Sequence, residues 1–160
     1  MKCLVVFYSR TGNTKKVAEK IAEMLNCDLE EIIDIKNRSG LLGFLRSGFE
    51  AVLKKLTIIA KTKYNPDDYD LVIIGTPVWA GTISTPIRTY MIMNKDKFKK
   101  VAFFCTLIRK TAPKVFKEMK EVCQKEPIST IMIRASEINS GIYAKKLEEF
   151  VSKIKNLNNS

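Results

Sequence analysis

The sequence contains no histidine, and this absence removes several kinds of chemistry. Its 160 residues cannot supply a Ser-His-Asp or Cys-His nucleophile, a His-ligated metal ion, or a histidine that changes charge near neutral pH. No apolar run approaches the roughly 20 residues that a membrane-spanning helix needs. The first apolar run stops at Tyr8 and a charged helix is predicted to follow, so nothing there resembles a secretory leader.

The four cysteines are also spaced too widely for familiar cysteine sites. No Cys-x-x-C pair is present for zinc, an iron–sulfur cluster or dithiol chemistry. Cys3 and Cys105 fall inside apolar runs, where a reduced thiol behaves as a small hydrophobic side chain. We therefore expect reduced cysteines, a cytoplasmic location and no membrane association.

Acidic residues are scarce. Lys and Arg number 28 against 17 Asp and Glu, which gives a net charge of +11. This charge predicts a partner with an acidic face, although a lysine-rich proteome would explain it equally well. Nucleic-acid binding is disfavoured because the lysines are spread over all predicted helices and no aromatic-rich strand face is present.

The chain reads as a single domain over residues 1–157, with a frayed tail at 158–160. Short apolar runs alternate with helical patterns, as in parallel βαβ folds. The predicted strands are Cys3–Tyr8, Leu29–Ile35, Asp70–Gly75, Lys100–Thr106 and Ile128–Arg134. The predicted helices are Asn13–Leu25, Ser39–Leu56, Thr85–Met93, Pro113–Cys123 and Ser140–Leu157.

Apolar content indicates the order of the strands. The first, third and fourth are continuous apolar runs, as expected for strands covered on both faces, whereas the second and fifth carry polar residues and read as edges. We predict an α/β fold with a doubly wound, five-stranded parallel sheet in the order 2-1-3-4-5, layered between helices as a three-layer sandwich. In this order, ligands bind where the first and third strands diverge, just after Tyr8 and just after Gly75.

The segment after the first strand has the chemistry of a phosphate site. Its hydroxyl groups can donate hydrogen bonds, its glycine allows a ligand close to the backbone, and the helix that follows offers unpaired N–H groups. It is neither a P-loop nor a dinucleotide fingerprint, because the required glycines and lysine are missing. The predicted phosphate-binding residues are Ser9, Arg10, Thr11, Gly12, Asn13 and Thr14.

The segment after the third strand contains the only tryptophan of the chain. A tryptophan at the mouth of the crevice can cap the core or offer a platform to a flat ligand, and the neighbouring phosphate site favours the platform. A phosphate beside an aromatic plane fits a mononucleotide with a large ring. The residues of this predicted ring loop are Pro77, Val78, Trp79, Ala80, Gly81 and Thr82.

Together, the YSRTGNT motif at 8–14 and the YDLVIIGTPVWAG motif at 69–81 resemble those of the flavodoxin family over essentially the whole chain. The resemblance implies a flavodoxin-like fold and non-covalently bound FMN. By matched position, the residues at 9 and 11–14 would hold the phosphate, Pro77, Val78 and Trp79 would pack the ring, and Gly81 would neighbour its N5. The third flavin loop of the family would begin at Thr106 and Leu107.

Two features depart from that family pattern. The loop 106–113 has neither a glycine nor a second aromatic residue, so one face of the ring is expected to be open, covered by an aliphatic side chain or covered by a partner. Typical flavodoxins are acidic, whereas a cation such as Arg109 near the flavin would favour its negatively charged reduced form. We therefore expect a less negative potential than in acidic relatives.

Several functions remain open. Electron transfer between redox partners, with the chain as a monomer or dimer, is the leading hypothesis. An NAD(P)H-dependent FMN or quinone reductase on the same fold is the alternative, and a non-redox basic binding domain is the remote one. The predicted crossover helix, which aligns Leu41, Leu45, Phe49, Val52 and Leu56, reads as either a covering helix or an additional docking surface.

Overall fold

A computed structural model of the protein describes residues 1–35, 40–108 and 111–156. Ser39, Arg109, Leu157 and the tail 158–160 lie outside these ranges. Within the described residues the strands are β1 (Cys3–Phe7), β2 (Asp28–Glu31), β3 (Leu71–Trp79), β4 (Thr82–Ile83), β5 (Lys100–Leu107) and β6 (Pro127–Arg134). The α-helices are α1 (Asn13–Leu25), α2 (Gly40–Val52), α3 (Thr85–Asn94), α4 (Val115–Cys123), α5 (Ala135–Ser140) and α6 (Tyr143–Asn156).

The sheet confirms the predicted strand order. Its five main strands are parallel in the order β2-β1-β3-β5-β6, and the short β4 pairs with β3. All of β1 is buried, as are residues 71–76 of β3 and 101–107 of β5, because one hydrophobic core lies on each face of the sheet. The outer strands β2 and β6 are partly exposed, as their polar residues predicted.

The two cores are closed by different helices. One contains buried residues of α1 and α6, including Ile21 and Ile154, and the other contains residues of α3 and α4, including Tyr90 and Met119. Within the sheet, Gly75 of β3 packs directly on the ring of Phe104 in β5. A Cβ atom at Gly75 would lie 1.9 Å from Cζ of Phe104. The smallest residue is therefore required where these two central strands meet.

Several predicted boundaries are wrong. Strand β2 ends at Glu31 rather than Ile35, because the chain turns away and Asp34 forms an isolated antiparallel bridge with Ile59. The last helix begins at Tyr143 rather than Ser140, and the short helix α5 before it, which Gly141 ends with a φ of 78°, was not predicted. Helix α2 ends at Val52 instead of Leu56.

The expectation that Cys3 is reduced is also wrong. Cys3 and Cys27 form a disulfide, with their Cα atoms 5.1 Å apart. Cys105 and Cys123 are free and buried, and burial raises the pKa of the Cys105 thiol to about 12. Disulfides are uncommon in reducing compartments, so the cysteines no longer support a cytoplasmic location. Within the described ranges, no helix is long and apolar enough to cross a membrane.

Candidate functional site

The beginning of α1 is arranged to receive an anion. Gly12 precedes the helix with φ of +94°, a conformation that glycine adopts without steric cost, and its N–H donates to Ser9 Oγ at 3.1 Å. Among the described residues, no side chain caps this helix end, and its first turn contains no acidic residue. The first-turn N–H groups and the positive end of the helix dipole are therefore available to a negatively charged ligand.

A buried hydroxyl pair joins this helix end to the sheet. Thr14 Oγ1 lies 2.7 Å from Thr106 Oγ1, and both residues are buried. Because Thr106 is near the carboxyl end of β5, the hydrogen bond fixes α1 against the strand that leads into the loop 106–113. The start of α1 and that loop consequently face the same crevice.

The predicted ring loop is a β-hairpin rather than an irregular loop. Strand β3 continues through Pro77 to Trp79, and Trp79 and Val78 then pair antiparallel with β4. Ala80 and Gly81 form the turn, with φ of 49° and 83°. Two successive residues with positive φ are typical of the tight turns that join twisted strands, and Gly81 adopts this conformation more easily than Ala80.

A buried ion pair is hydrogen-bonded to strand β4 of the hairpin. Arg88 of α3 donates to Glu118 of α4 at 2.7 Å, and the side chain of Arg88 is only 3% exposed. Glu118 also accepts hydrogen bonds from the Thr82 hydroxyl and from the Ile83 N–H, both in β4. Burial alone would raise the pKa of Glu118, but the hydrogen bonds from Thr82 and Arg88 outweigh it and lower that pKa.

The tryptophan is both part of the core and part of the crevice. Trp79 is 7% exposed and packs edge-on against Tyr8, with ring centroids 5.5 Å apart and an interplanar angle of 89°. The same side chain lines two adjoining cavities. Trp79 therefore packs in the core and also lines the crevice, which is compatible with both roles predicted for it.

The two cavities differ in chemistry. The smaller, of about 100 Å³, lies at the start of α1 and is lined by Arg10, Thr11, Asn13 and Thr14 together with residues of β3 and β5. The larger, of about 520 Å³, is lined mainly by apolar and small residues. Residues that line both are Val78, Trp79, Leu107 and Ile108.

The crevice brings together most of the residues predicted from sequence. Those that line the smaller cavity are Arg10, Thr11, Asn13, Thr14, Pro77, Val78, Trp79, Thr106 and Leu107, and Ala80 and Gly81 line the larger. Ser9 and Gly12 line neither cavity and shape the turn before α1 instead. Thr82 also lines neither, because its hydroxyl points to Glu118 and Arg88.

Other lining residues were missing from the sequence prediction. Ile108, Thr111 and Ala112 line the larger cavity from the loop after β5, and Leu45 and Gly48 line it from α2. Ile108 is 84% exposed; with Leu107, it is one of the aliphatic side chains that the sequence offers as a cover for one face of the ring, but it is not among the predicted site residues. The contribution of α2 could not have been read from the chain, because its position depends on the long crossover that precedes β3.

Comparison with known proteins agrees with this fold. A model of the family Flavodoxin matches residues 2–154. No curated protein matches the chain. Solved structures do, among them that of a flavoprotein from Lactobacillus acidophilus NCFM in complex with FMN, with a TM-score of 0.74 and 26% identity over 87% of this chain and 97% of that one.

Two further solved structures extend the comparison. The apo-form of the same Lactobacillus acidophilus flavoprotein has a TM-score of 0.61 and 26% identity, over 86% of this chain and 95% of that one. An oxidised flavodoxin from Bacillus cereus shares the fold, with a TM-score of 0.56 and 16% identity over 98% of each chain. The family match spans nearly the whole sequence, so this chain belongs to the flavodoxin family.

Proposed function

We propose that this protein binds FMN without a covalent bond and carries electrons between redox partners. The observation that carries this proposal is the pair of adjoining cavities with Trp79 in the wall of both, one with polar side chains at a helix N-terminus and one lined mainly by apolar and small residues. FMN combines a phosphate with a large flat ring, so it requires both environments side by side. The Lactobacillus acidophilus flavoprotein, which is similar over 97% of its length, was crystallised with FMN.

The residues present fit this cofactor. A cavity of about 520 Å³ lies within the range of small-molecule sites, and its apolar lining suits an aromatic ring. The hydroxyls of Thr11 and Thr14, the Arg10 side chain and the first turn of α1 suit a phosphate. Gly12 and Gly81 have open space where a side chain would be, so a ligand can approach the backbone at both turns.

Each part of the crevice then has a role. The start of α1 binds the phosphate and sets the position of the ligand along the sheet edge. Trp79, Val78 and Leu107 pack against the ring and exclude water from it, while the turn at Ala80 and Gly81 presents backbone groups to its edge. When bound, FMN would supply the ability to accept and release one or two electrons.

The positive charge of the chain affects both the reduction potential of the bound flavin and the kind of partner protein that the chain attracts. A net charge of +11 favours any negative charge added to the site, so we expect a less negative potential for full reduction than in acidic flavodoxins. The same charge favours partners with an acidic face. Redox titration measures the potential for full reduction of the bound flavin. A value as negative as that of an acidic flavodoxin would contradict the expectation.

Ligand titration tests the proposed cofactor site. The purified apoprotein is titrated with FMN and, separately, with riboflavin, which has the same ring but no phosphate, and binding is followed by flavin fluorescence. We expect FMN to bind at least tenfold more tightly. Thr11→Val should weaken FMN binding about tenfold or more and leave riboflavin binding unchanged, since a hydrogen bond to a charged group contributes about 1.5–3 kcal/mol.

Thr130→Val is the matched control, because Thr130 is exposed on the edge strand β6, remote from the lining residues. Equal affinity for FMN and riboflavin would contradict the phosphate site.

Stepwise anaerobic reduction of the FMN-loaded protein distinguishes an electron-transfer protein from an NAD(P)H-dependent reductase. Two one-electron steps support electron transfer, whereas rapid NAD(P)H consumption with reduction in one two-electron step would favour the reductase instead.

A further inference from the structure

Helix α2 exposes several large apolar side chains among those that the structure describes. Its buried residues include Gly43, Ser47 and Ala51, which are small. Leu42 is 83% exposed and Phe49 is 62% exposed. A helix that only covers a sheet does not require large apolar side chains on its solvent face, so the exposed Leu42 and Phe49 need another explanation.

Exposed apolar side chains recur along α2 and the four residues after it. We call this set the α2 stripe; it consists of Leu42, Leu45, Phe49, Leu53 and Leu56. Successive members are three or four residues apart and each is at least half exposed, so through α2 they follow one face of the helix. Single exposed apolar residues need no explanation, but five at this spacing are typical of an interaction surface.

The α2 stripe reaches the proposed cofactor site. Leu45 belongs to the stripe and also lines the larger cavity, whose lining includes the strongly exposed Ile108 as well. Any macromolecule that covers the stripe and Ile108 therefore lies over the mouth of this cavity. Electrons could then pass between the bound ring and a centre in that macromolecule over a short distance.

The charges around the stripe indicate what it binds. Residues 40–56 contain one acidic side chain, Glu50, which is buried and paired with Arg46 at 3.0 Å. Lys54 and Lys55 are exposed at one end of the stripe, and Lys55 Nζ lies 5.7 Å from the centroid of the Phe49 ring. A second copy of this chain would bring like charges together, which disfavours self-association and favours an acidic partner.

We propose that the α2 stripe and Ile108 form the docking face for a redox partner protein whose surface has an apolar patch bordered by carboxylates. This inference rests on the proposed electron-transfer function and names the partner of the same site. The apolar side chains provide the affinity, and Lys54 and Lys55 orient the partner. An anionic membrane would also match a basic apolar helix, but it would seal the cavity without providing a redox centre.

The test uses an acidic blue-copper protein whose docking face combines an apolar patch with carboxylates. Its Cu(I) form is added to the ¹⁵N-labelled, FMN-loaded protein, and the backbone resonances are followed. We expect shifts concentrated in residues 42–56 and 108. Phe49→Gln and Leu53→Gln should each weaken binding about tenfold, and Lys55→Gln should weaken it several-fold and reduce its salt dependence.

Matched controls are available on the other face of the sheet. Ile142→Gln changes a side chain that is 61% exposed between α5 and α6, and Lys153→Gln removes an exposed charge from α6. Neither should change the affinity. Equal loss in Phe49→Gln and Ile142→Gln, absence of binding, or shifts confined to α6 would overturn the proposal.

Two other occupants would give different results. Sedimentation that shows a dimer, lost in Phe49→Gln, would assign the stripe to a second copy and overturn the proposal. Binding to phosphatidylserine vesicles but not to the copper protein would assign it to a membrane, with the same consequence. If the protein does not bind FMN, the proposed function fails, while the same titration on the apoprotein still decides whether the stripe docks an acidic partner.

Discussion

Replacing Glu118 with glutamine should destabilise the protein far more than a conservative substitution normally does. The glutamine carbonyl can still accept hydrogen bonds from Thr82 and Ile83, so the change isolates the charge. Arg88 then retains a buried positive charge without its carboxylate partner, because Glu118 is the acidic group paired with it among the described residues. Lys54, at 3.8 Å from Glu118 and largely exposed, has little effect on this balance.

The magnitude follows from burial. Removing one partner of a buried ion pair typically costs about 3–5 kcal/mol, because the remaining charge is left without solvent or a counter-charge. For a domain of this size, about 2–4 °C per kcal/mol gives a decrease in Tm of about 6–20 °C. Arg88→Met in the Glu118→Gln background removes the stranded charge, so the double variant should regain most of the lost stability.

Chemical denaturation at neutral pH measures these free energies of unfolding, with Glu121→Gln as control. Glu121 is on the same helix but exposed, and its pair with Lys117 is 3.9 Å long, so this change should cost less than about 0.5 kcal/mol. The lowered pKa of Glu118 stabilises the fold above its ordinary pKa and ceases to do so on acidification. A Glu118→Gln variant within 1 kcal/mol of the parent, with unchanged acid sensitivity, would refute the reasoning.

Three further predictions concern the fold. Gly75→Ala should destabilise it by about 1–3 kcal/mol or more in urea unfolding, because the new Cβ meets the Phe104 ring, and Phe104→Leu should partly rescue it; no loss would contradict the close packing. Cys3→Ser should lower the free energy of unfolding by about 3 kcal/mol, because the disulfide to Cys27 closes a loop with a sequence separation of 24. An unchanged Tm after reduction with dithiothreitol would show that the disulfide contributes nothing to stability. Burial alone would raise the pKa of Glu137, but hydrogen bonds from basic side chains and a backbone N–H lower it to about 2, from an ordinary value of 4.5. The ionised carboxylate therefore stabilises the fold by at most about 3 kcal/mol, and this contribution should be lost as the pH falls from about 5 to 2. Glu137→Gln should abolish this part of the pH dependence of the free energy of unfolding.

The sheet could be predicted because its signals are local. Continuous apolar runs identify the strands that are covered on both faces, and two polar strands identify the edges, which leaves few arrangements once crossovers are right-handed. The start of α1 was equally accessible, since hydroxyl residues and Gly12 directly before a helix describe an anion site without reference to the rest of the chain. The family resemblance contributed the identity of the ligand.

What the sequence did not reveal depends on distant contacts. The hairpin was missed because Pro77 and Gly75 are typical of loops, although β3 continues through both. The pairing of Cys3 with Cys27 depends on the register of β1 with β2, in which Leu4 lies opposite Asp28. Helical periodicity located α2 but could not tell which of its faces meets the sheet.

The disulfide has a topological consequence for the proposed phosphate site. Its covalent ring runs from Cys3 through β1, the turn at Ser9–Thr14 and α1 to Cys27. A protease that cuts after Arg10 would therefore divide the polypeptide without releasing either fragment. The nicked protein would migrate as one chain on a non-reducing gel and as two after reduction, and the two ends of the anion-binding turn would stay tethered to the same sheet edge.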